Sequence, residues 1–242
     1  AERVVSELCE GLVRRGHEVT LFASGGSSTS ARLVTPLPHP PPPAQLGSAP
    51  EDVFHAVSAY LRAGEFDLIH DHTGLTGAAM GALLGGKPPV VVTNHGSWTP
   101  EVRRLHGLLG DRVGLVAISE SQRRQNLEVP HLGVAYNGID PAGFPYRADK
   151  EDFLCFVGRA TPDKGIVEAI EIAEHTGRKL VMVVKVNEPP EVEYWSREVE
   201  PRLTRDVEVL LGAEPALKLD VMSRARALLL PIQWEEPFGL VM

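Results

Sequence analysis

The stretch FLCFVGRATPDKGIVEAI, residues 153–170, decides the fold class of this chain. Its first five residues are all apolar, as in a buried strand, and residues 167–170 begin a helical pattern. The residues between them include glycine, proline and aspartate, which favour turns. A buried strand that turns directly into a helix is half of a βαβ unit, and such units build parallel sheets covered by helices.

The same alternation continues to the end of the chain and also precedes this stretch. After residue 150 the sequence predicts strands at 153–157, 180–184, 207–211 and 227–230, with helices near 164–175, 191–202 and 214–225. Before it, strands are predicted at 17–23, 67–69, 89–93, 114–118 and 132–136, with helices near 2–15, 51–63, 73–84, 100–109 and 120–126. Both series are therefore expected to form doubly wound α/β domains.

The predicted domain boundary lies in residues 137–145, which are dense in turn formers and have no periodicity. We expect a Rossmann-like domain at 1–138, a connection at 139–150 and a second Rossmann-like domain at 151–242. A doubly wound sheet usually has a central strand before its first helix, but this chain opens on a helix. Its end falls inside a Pro-Gly motif, so we expect both domains to be incomplete parts of a longer protein.

Composition excludes several classes of function. The 242 residues carry a net charge of -8, which argues against a general nucleic-acid binder. No apolar run approaches the length of about 18 residues that a membrane-spanning helix needs. The two cysteines, Cys9 and Cys155, are too far apart for a metal or redox motif. We expect reduced thiols in a cytoplasmic protein without a transmembrane segment.

Two short segments carry the chemistry. In the first, Gly158-Arg159 and Asp163-Lys164-Gly165 place two cations and two glycines where a strand turns into a helix. The amides of a helix N-terminus add partial positive charge, so a phosphate or diphosphate would be held there. The alternative is an exposed turn with both cations in solvent.

The second segment, WEEPFGL at residues 234–240, places the carboxylate of Glu236 before a Pro-Gly turn. Backbone N–H groups around Phe238, Gly239 and Leu240 are candidates to face a sugar or a diphosphate. The alternative is a surface loop with a solvated carboxylate.

These two segments, in this order and with a βαβ pattern between them, resemble the donor site of retaining glycosyltransferases of family four, glycosyl transferases group 1. The resemblance implies a GT-B architecture, with two Rossmann-like domains that face each other across a cleft. The second domain would bind the nucleotide sugar and the first the acceptor. Arg159 and Lys164 would grip the diphosphate, and Glu236 would face the transferred sugar. The family's second glutamate would lie beyond Met242, outside the sequence.

The donor-binding candidates extend along both segments. They are Gly158, Arg159, Lys164, Gly165, Lys185, Glu236, Phe238, Gly239 and Leu240. Lys185 ends a predicted strand and is a candidate to border the nucleotide pocket, with an ordinary surface lysine as the alternative. Residues 191–200 predict an amphipathic helix to which the sequence assigns no chemistry.

The first domain offers polar residues at its predicted strand ends, where ligands bind in doubly wound sheets. His95 follows one strand, and the resemblance places a histidine there near the sugar or acceptor; the alternative is a structural histidine. His70-Asp71-His72 invites a metal site, but further ligands at a recognisable spacing are missing, so no metal is expected. Ser119 either belongs to this edge or caps the next helix.

The expected activity follows from the resemblance. A hexosyl group would move from a nucleotide diphosphate sugar, UDP-linked by expectation, to a small-molecule, lipid or glycan acceptor with retention of anomeric configuration. The catalytic candidates are His95, Arg159, Lys164 and Glu236. The two cations would stabilise the leaving diphosphate, so no cofactor or metal is expected. The alternatives are a nucleotide-sugar epimerase of the same architecture and a non-catalytic nucleotide-sugar-binding fragment. The motifs do not identify the base, the sugar, the acceptor or the oligomeric state.

Overall fold

A computed structural model describes residues 2–42 and 49–242 of the chain. Contacts divide these residues into two compact units. The first contains the chain up to Ile139 together with Glu236–Leu240, and the second contains Asp140–Glu235 together with Val241–Met242. The segment Glu236–Leu240 therefore lies with the first unit, whereas the sequence analysis assigns it to the second domain.

The first unit alternates helices and strands. Its elements are α1 (Glu2–Arg14), β1 (Thr20–Phe22), β2 (Arg32–Val34), α2 (Ala49–Tyr60), β3 (Ile69–Asp71), α3 (Leu75–Leu83), β4 (Val90–Asn94), α4 (Pro100–Leu109), β5 (Gly114–Ala117), α5 (Glu120–Arg124) and β6 (Gly133–Val134). β3, β4, β5 and β6 form a parallel sheet in that order, and β1 pairs with β2 in a separate parallel pair. β2 was not predicted from the sequence.

The core of the first unit lies between its sheet and the helices α2, α3 and α4. It contains the following buried residues: Ala56, Tyr60, Ala78, Ala82, Val90, Val92, Trp98, Leu109, Val113, Leu115 and Val129. α3 approaches the sheet closely because it presents Gly81, where a Cβ atom would come within 2.8 Å of Val90 Cγ1. The helix packing thus fixes β4, whose carboxyl end carries the first unit's candidate residues.

The second unit repeats the alternation with longer strands. Its elements are β7 (Phe153–Arg159), α6 (Ile166–Thr176), β8 (Lys179–Lys185), α7 (Pro189–Tyr194), β9 (Val207–Leu211), α8 (Pro215–Arg224) and β10 (Ala227–Leu229). The sheet is parallel throughout, in the order β10-β7-β8-β9. The helix predicted at 191–202 is divided, because a π-helical turn at Trp195–Val199 and a 3₁₀ turn at Glu200–Arg202 follow α7.

Both faces of this second sheet are covered. Leu154 and Phe156 of β7 belong to a core cluster with α6, while Phe153 and Cys155 belong to another cluster with α8. Alternate residues of a strand point to opposite faces, so residues 153–157 of β7 need to be apolar at every position. The continuous apolar run of residues 153–157 reflects this burial.

The two cysteines are free and buried. Burial raises the pKa of the Cys155 thiol to about 11, so this thiol is protonated at neutral pH. Within the described ranges, none of the helices has the length and apolar character required to cross a membrane.

Candidate functional site

The carboxyl end of β7 leads into a tight turn that only glycine permits. After Arg159 the chain forms a 3₁₀ turn at Pro162–Lys164, and Gly165 then adopts left-handed backbone angles before α6 begins. A Cβ atom on Gly165 would lie 1.8 Å from the carbonyl oxygen of Pro231. The close approach places the turn against the segment that follows β10 and so fixes Lys164 at this edge of the sheet.

Three cationic residues border this edge. Arg159 ends β7, and Lys185, which ends the neighbouring strand β8, is its register partner. Lys164 lies on the turn between β7 and α6, with its Nζ 4.6 Å from the ring centroid of Trp234. The backbone N–H of Gln233 also donates to the Asp163 carbonyl at 2.8 Å. Residues 233 and 234 therefore contact the turn within the second unit, and a cation–π interaction with the Trp234 ring stabilises the ammonium group of Lys164.

Arg159 is held by two carboxylates that the sequence analysis did not connect with it. Its Nη2 lies 2.5 Å from Glu188 Oε1, and its Nε donates to Glu191 Oε1. The Arg159 side chain is 45% exposed, whereas that of Glu191 is only 1% exposed. The guanidinium group is thus anchored on its inner side and open to solvent elsewhere.

The buried carboxylate of Glu191 is fully engaged. Its second oxygen, Oε2, accepts the backbone N–H groups of Asn187 at 2.7 Å and Glu188 at 3.0 Å. Burial alone would raise the pKa of Glu191, but these backbone hydrogen bonds and the charge of Arg159 outweigh burial and lower it. Glu191 is therefore ionised at neutral pH, contrary to the expectation that residues 191–200 form only an ordinary amphipathic helix.

The segment Glu236–Leu240 packs within the first unit. The hydroxyl of Ser119 donates to the Pro237 carbonyl at 2.5 Å and also accepts the N–H of Gln122 at 2.9 Å as the N-cap of α5. The ring of Phe238 lies 6.1 Å from that of Tyr136, centroid to centroid. Ser119 thus has both roles that the sequence left open, because it caps a helix and lies at the strand edge beside a motif residue.

Three histidines lie together at the carboxyl ends of β3 and β4. His72 Nδ1 and His95 Nε2 are 2.9 Å apart, within hydrogen-bond distance, and His70 Nε2 lies 2.8 Å from Thr93 Oγ1. The ring centroids are separated by 4.2 Å between His70 and His72 and by 5.2 Å between His72 and His95. The fold therefore brings His95 together with the two histidines of the His70-Asp71-His72 segment.

Burial keeps these imidazoles neutral. It lowers the pKa of His72 to about 3 and that of His95 to about 4, and the mutual repulsion of positively charged neighbours adds to the effect. The pKa of His70 is also lowered, by burial. At neutral pH each ring is therefore uncharged and has one donor and one acceptor nitrogen.

Asp71 stabilises the fold at this edge. Its buried carboxylate accepts the Tyr60 hydroxyl at 3.0 Å and the Thr73 N–H at 2.8 Å. It lies so close to Gly77 of α3 that a Cβ atom there would be 2.0 Å from Asp71 Oδ2. Across the residues that the structure describes, no three His, Cys, Asp or Glu side chains are grouped to hold a metal ion.

Comparison with known proteins identifies the family. The model of Glycosyltransferase Family 4 matches residues 1–142, which is more than half of the chain. The chain belongs to Glycosyltransferase Family 4. Comparison of the sequence with curated proteins finds no match.

Solved structures resemble this Family 4 chain over almost its whole length. AviGT4, a glycosyltransferase involved in avilamycin A biosynthesis, is 27% identical with a TM-score of 0.64, and the match covers 98% of this chain and 66% of AviGT4. Anabaena Alr3699/HepE in complex with UDP and glucose is 19% identical with a TM-score of 0.70, and its complex with UDP has a TM-score of 0.67; each match covers 98% of this chain and 73% of HepE. The predicted GT-B fold class, with two Rossmann-like domains, is confirmed.

The family match and the donor candidates cover different parts of the chain. Residues 1–142 include the histidine group and Ser119, but Arg159, Lys164 and Lys185 follow them. The assignment of these cations to a donor site therefore depends on their pattern and on the geometry at the end of β7. The roles of individual residues in this Family 4 chain stay predictions.

Gln122 is a structural residue of the edge that the sequence analysis missed. Its side chain is fully buried, donates to the carbonyls of Asn94 at 3.0 Å and Gly96 at 2.7 Å, and accepts the Ile118 N–H at 2.9 Å. It therefore fixes the loop that carries His95. Ser followed three residues later by Gln is a capping-box pattern, which was the available signal, although this amide reaches a different backbone N–H.

Proposed function

We propose that the protein containing this chain transfers a hexosyl group from a nucleoside diphosphate sugar to an acceptor. The observation that supports this best is the placement of Arg159, Lys164 and Lys185 at the carboxyl edge of β7 and β8, where α6 begins. Ligands of doubly wound sheets bind at this edge, and a diphosphate is the group whose charge matches cations beside a helix N-terminus. The likeness to a fold that binds UDP and glucose in HepE supports the same ligand class.

The cations also fit the chemistry of sugar transfer. As the bond between the sugar and the diphosphate breaks, negative charge accumulates on the leaving phosphate oxygens. Arg159 can donate two parallel hydrogen bonds to phosphate, and Lys164 supplies a point charge. In this proposal the two side chains neutralise the leaving group, and no metal is assigned to the reaction.

Arg159 must exchange partners for this to happen. Glu188 occupies its Nη2 at 2.5 Å, and both side chains of this ion pair are partly exposed. A phosphate that binds Nη2 would displace Glu188, which can turn toward solvent, while Glu191 keeps its hold on Nε. In the proposed donor site, Glu191 thus holds the guanidinium group of Arg159 in place while a phosphate replaces the carboxylate of Glu188.

The first unit supplies the remaining proposed roles. Glu236 would face the transferred sugar, with the backbone around Phe238, Gly239 and Leu240 beside it. His95 would contact the acceptor or the sugar. We propose transfer with retention of configuration, in which the acceptor attacks the face from which the diphosphate leaves, and UDP as the nucleotide.

A calorimetric titration tests the donor site. The complete protein is titrated with UDP, GDP, ADP and dTDP, and Arg159→Ala is compared with Arg205→Ala, whose side chain is 93% exposed. We expect saturable binding of UDP that Arg159→Ala weakens by about 1.5–3 kcal/mol, the range for hydrogen bonds to charged groups, and that Arg205→Ala leaves unchanged. If none of the nucleotides binds to the folded protein, the proposal is wrong.

Product analysis then separates transfer from the other activities. With UDP-glucose and a mixture of acceptor alcohols, a transferase releases UDP in proportion to a new glycoside. Epimerisation of the sugar without any acceptor would show an epimerase, and binding without any turnover would show a non-catalytic protein; each would overturn the proposed transfer.

A further inference from the structure

We propose that His72 is a positioning residue for His95: it occupies His95 Nε2, so that Nδ1 is the ring nitrogen that His95 presents to a ligand. The inference uses the proposed function only for the identity of that ligand. The pairing itself is a property of the first unit, and nothing in the family assignment specifies which nitrogen of His95 is available.

The distance between the two rings requires a shared proton. His72 Nδ1 and His95 Nε2 are 2.9 Å apart, so one of these nitrogens donates and the other accepts. Two rings that are both fully protonated would place two hydrogens between the same atoms, which the distance does not allow. Whichever ring donates, His95 Nε2 is engaged and only Nδ1 is left for a substrate.

The position of His72 is itself determined by its neighbours. The His70 ring lies against it with a centroid separation of 4.2 Å, and His70 is hydrogen-bonded to the buried Thr93 on β4. The backbone between the two histidines is fixed by Asp71, whose carboxylate binds Tyr60 and the Thr73 N–H. These contacts restrict the rotation of the His72 ring, so its Nδ1 presents a fixed partner to His95.

The other side of His95 is equally constrained. Its loop is held through Gln122, which donates to the carbonyls of Asn94 and Gly96 on both sides of the histidine. A fixed backbone and a fixed partner on Nε2 together leave one orientation for the ring. The two ring nitrogens of a histidine are distinct, and a partner that occupies one of them leaves the other for a ligand.

The expected consequence for turnover depends on how His72 is replaced. His72→Phe keeps a ring of similar size but removes the partner of His95 Nε2, whereas His72→Asn retains an amide near the position of Nδ1. Misplacing a reacting group by about 1 Å can cost 10²-fold in rate. We expect His72→Phe to lower kcat by about 10- to 100-fold with little change in the KM for the donor, and His72→Asn to restore much of it.

Nitrogen NMR of the complete protein tests the pairing without any substrate. A hydrogen bond to an imidazole nitrogen shifts its ¹⁵N resonance, so in wild type the His95 Nε2 resonance should have the shift of a hydrogen-bonded nitrogen at neutral pH. In His72→Phe the His95 Nε2 resonance should move to the position of a nitrogen without this partner, and His72→Asn should restore the wild-type shift. His175→Phe is the control, since His175 is exposed on α6 and bonds the carbonyl of Glu171 in its own helix.

The outcomes are distinct. If the His95 nitrogen shifts are the same in wild type and in His72→Phe, the two rings are not paired and the inference is wrong. If the shifts change as expected but no transferase activity is found, the pairing stands and the proposed function fails. A loss of kcat in His72→Phe that His72→Asn does not reduce at all would also contradict the positioning role.

Discussion

Replacing Glu191 with glutamine removes the negative charge that pairs with Nε of Arg159 while keeping the size of the side chain. The wild-type carboxylate accepts from Arg159 through one oxygen and from the Asn187 and Glu188 N–H groups through the other. A glutamine has only one oxygen for these two sets of donors. Its amide NH₂ must therefore face either Arg159 or the two backbone N–H groups, and both arrangements oppose donor to donor.

The size of the effect follows from the burial of the two carboxylates. Glu191 is 1% exposed, so losing its charge-assisted hydrogen bond should lower the free energy of unfolding by about 1.5–3 kcal/mol. Glu188 pairs with the same arginine, but its side chain is 37% exposed. Solvent screens an exposed pair, so Glu188→Gln should cost only about 0.2–1 kcal/mol.

Urea unfolding followed by tryptophan fluorescence measures this difference, because Trp195 and Trp234 both lie in the second unit. With a denaturant slope of about 2 kcal/mol/M, the midpoint should fall by roughly 0.75–1.5 M for Glu191→Gln and by no more than about 0.5 M for Glu188→Gln. The two variants differ from wild type by the same chemical change, so Glu188→Gln is a matched control.

The same pair should affect UDP binding in opposite directions. Glu188→Gln frees Nη2 of Arg159 and should tighten UDP binding by up to about fivefold, the equivalent of about 1 kcal/mol. Glu191→Gln releases the anchor of the guanidinium group and should weaken binding. Equal unfolding midpoints for both variants and wild type would refute the argument from burial, and weaker UDP binding by Glu188→Gln would refute the exchange of carboxylate for phosphate.

The remaining predictions concern the β7 turn and the histidine group. Gly165→Ala should lower the free energy of unfolding by about 1–3 kcal/mol, because the φ of Gly165 is +71° and a Cβ atom there would lie 1.8 Å from the Pro231 carbonyl oxygen. Gly177→Ala is the control, since Gly177 has a φ of +61° and open space around it. In the same urea assay it should lower the free energy of unfolding by only about 1 kcal/mol, the cost of the left-handed backbone conformation. Lys164→Ala should weaken UDP binding by about 1.5–3 kcal/mol in calorimetry, and unchanged affinity would remove Lys164 from the donor site. The pKa values of His72 and His95 are about 3 and 4 in the folded protein against an ordinary 6.5, so the unfolded chain binds more protons as the pH falls below 6.5. The free energy of unfolding should therefore decrease as the pH falls from 6.5 to 4, by up to about 1.4 kcal/mol per pH unit for each histidine. Urea midpoints measured across this range should fall less steeply in His72→Phe than in wild type. An equal slope in the two proteins would contradict the low pKa of His72.

The elements and the first motif could be predicted from local pattern. The apolar run 153–157 and the helical spacing after Gly165 correspond to β7 and α6, and the glycines and cations between them do lie at the strand-to-helix turn. Residues a few positions apart determine such patterns, because strand alternation, helical periodicity and turn conformation are local properties of the chain. Family resemblance added the GT-B class for the same reason, since it depends on short motifs in a fixed order.

Contacts between distant residues could not be predicted in this way. Glu191 occupies an ordinary position in an amphipathic pattern, and its partner Arg159 is 32 residues away. His72 and His95 are separated by 23 residues, and Ser119 and Pro237 by 118. β2 is only three residues long and exists because it pairs with β1. Each of these features arises when the packed sheets bring remote strand ends together, and the hydrogen bonds and burial that define them form only in the folded chain.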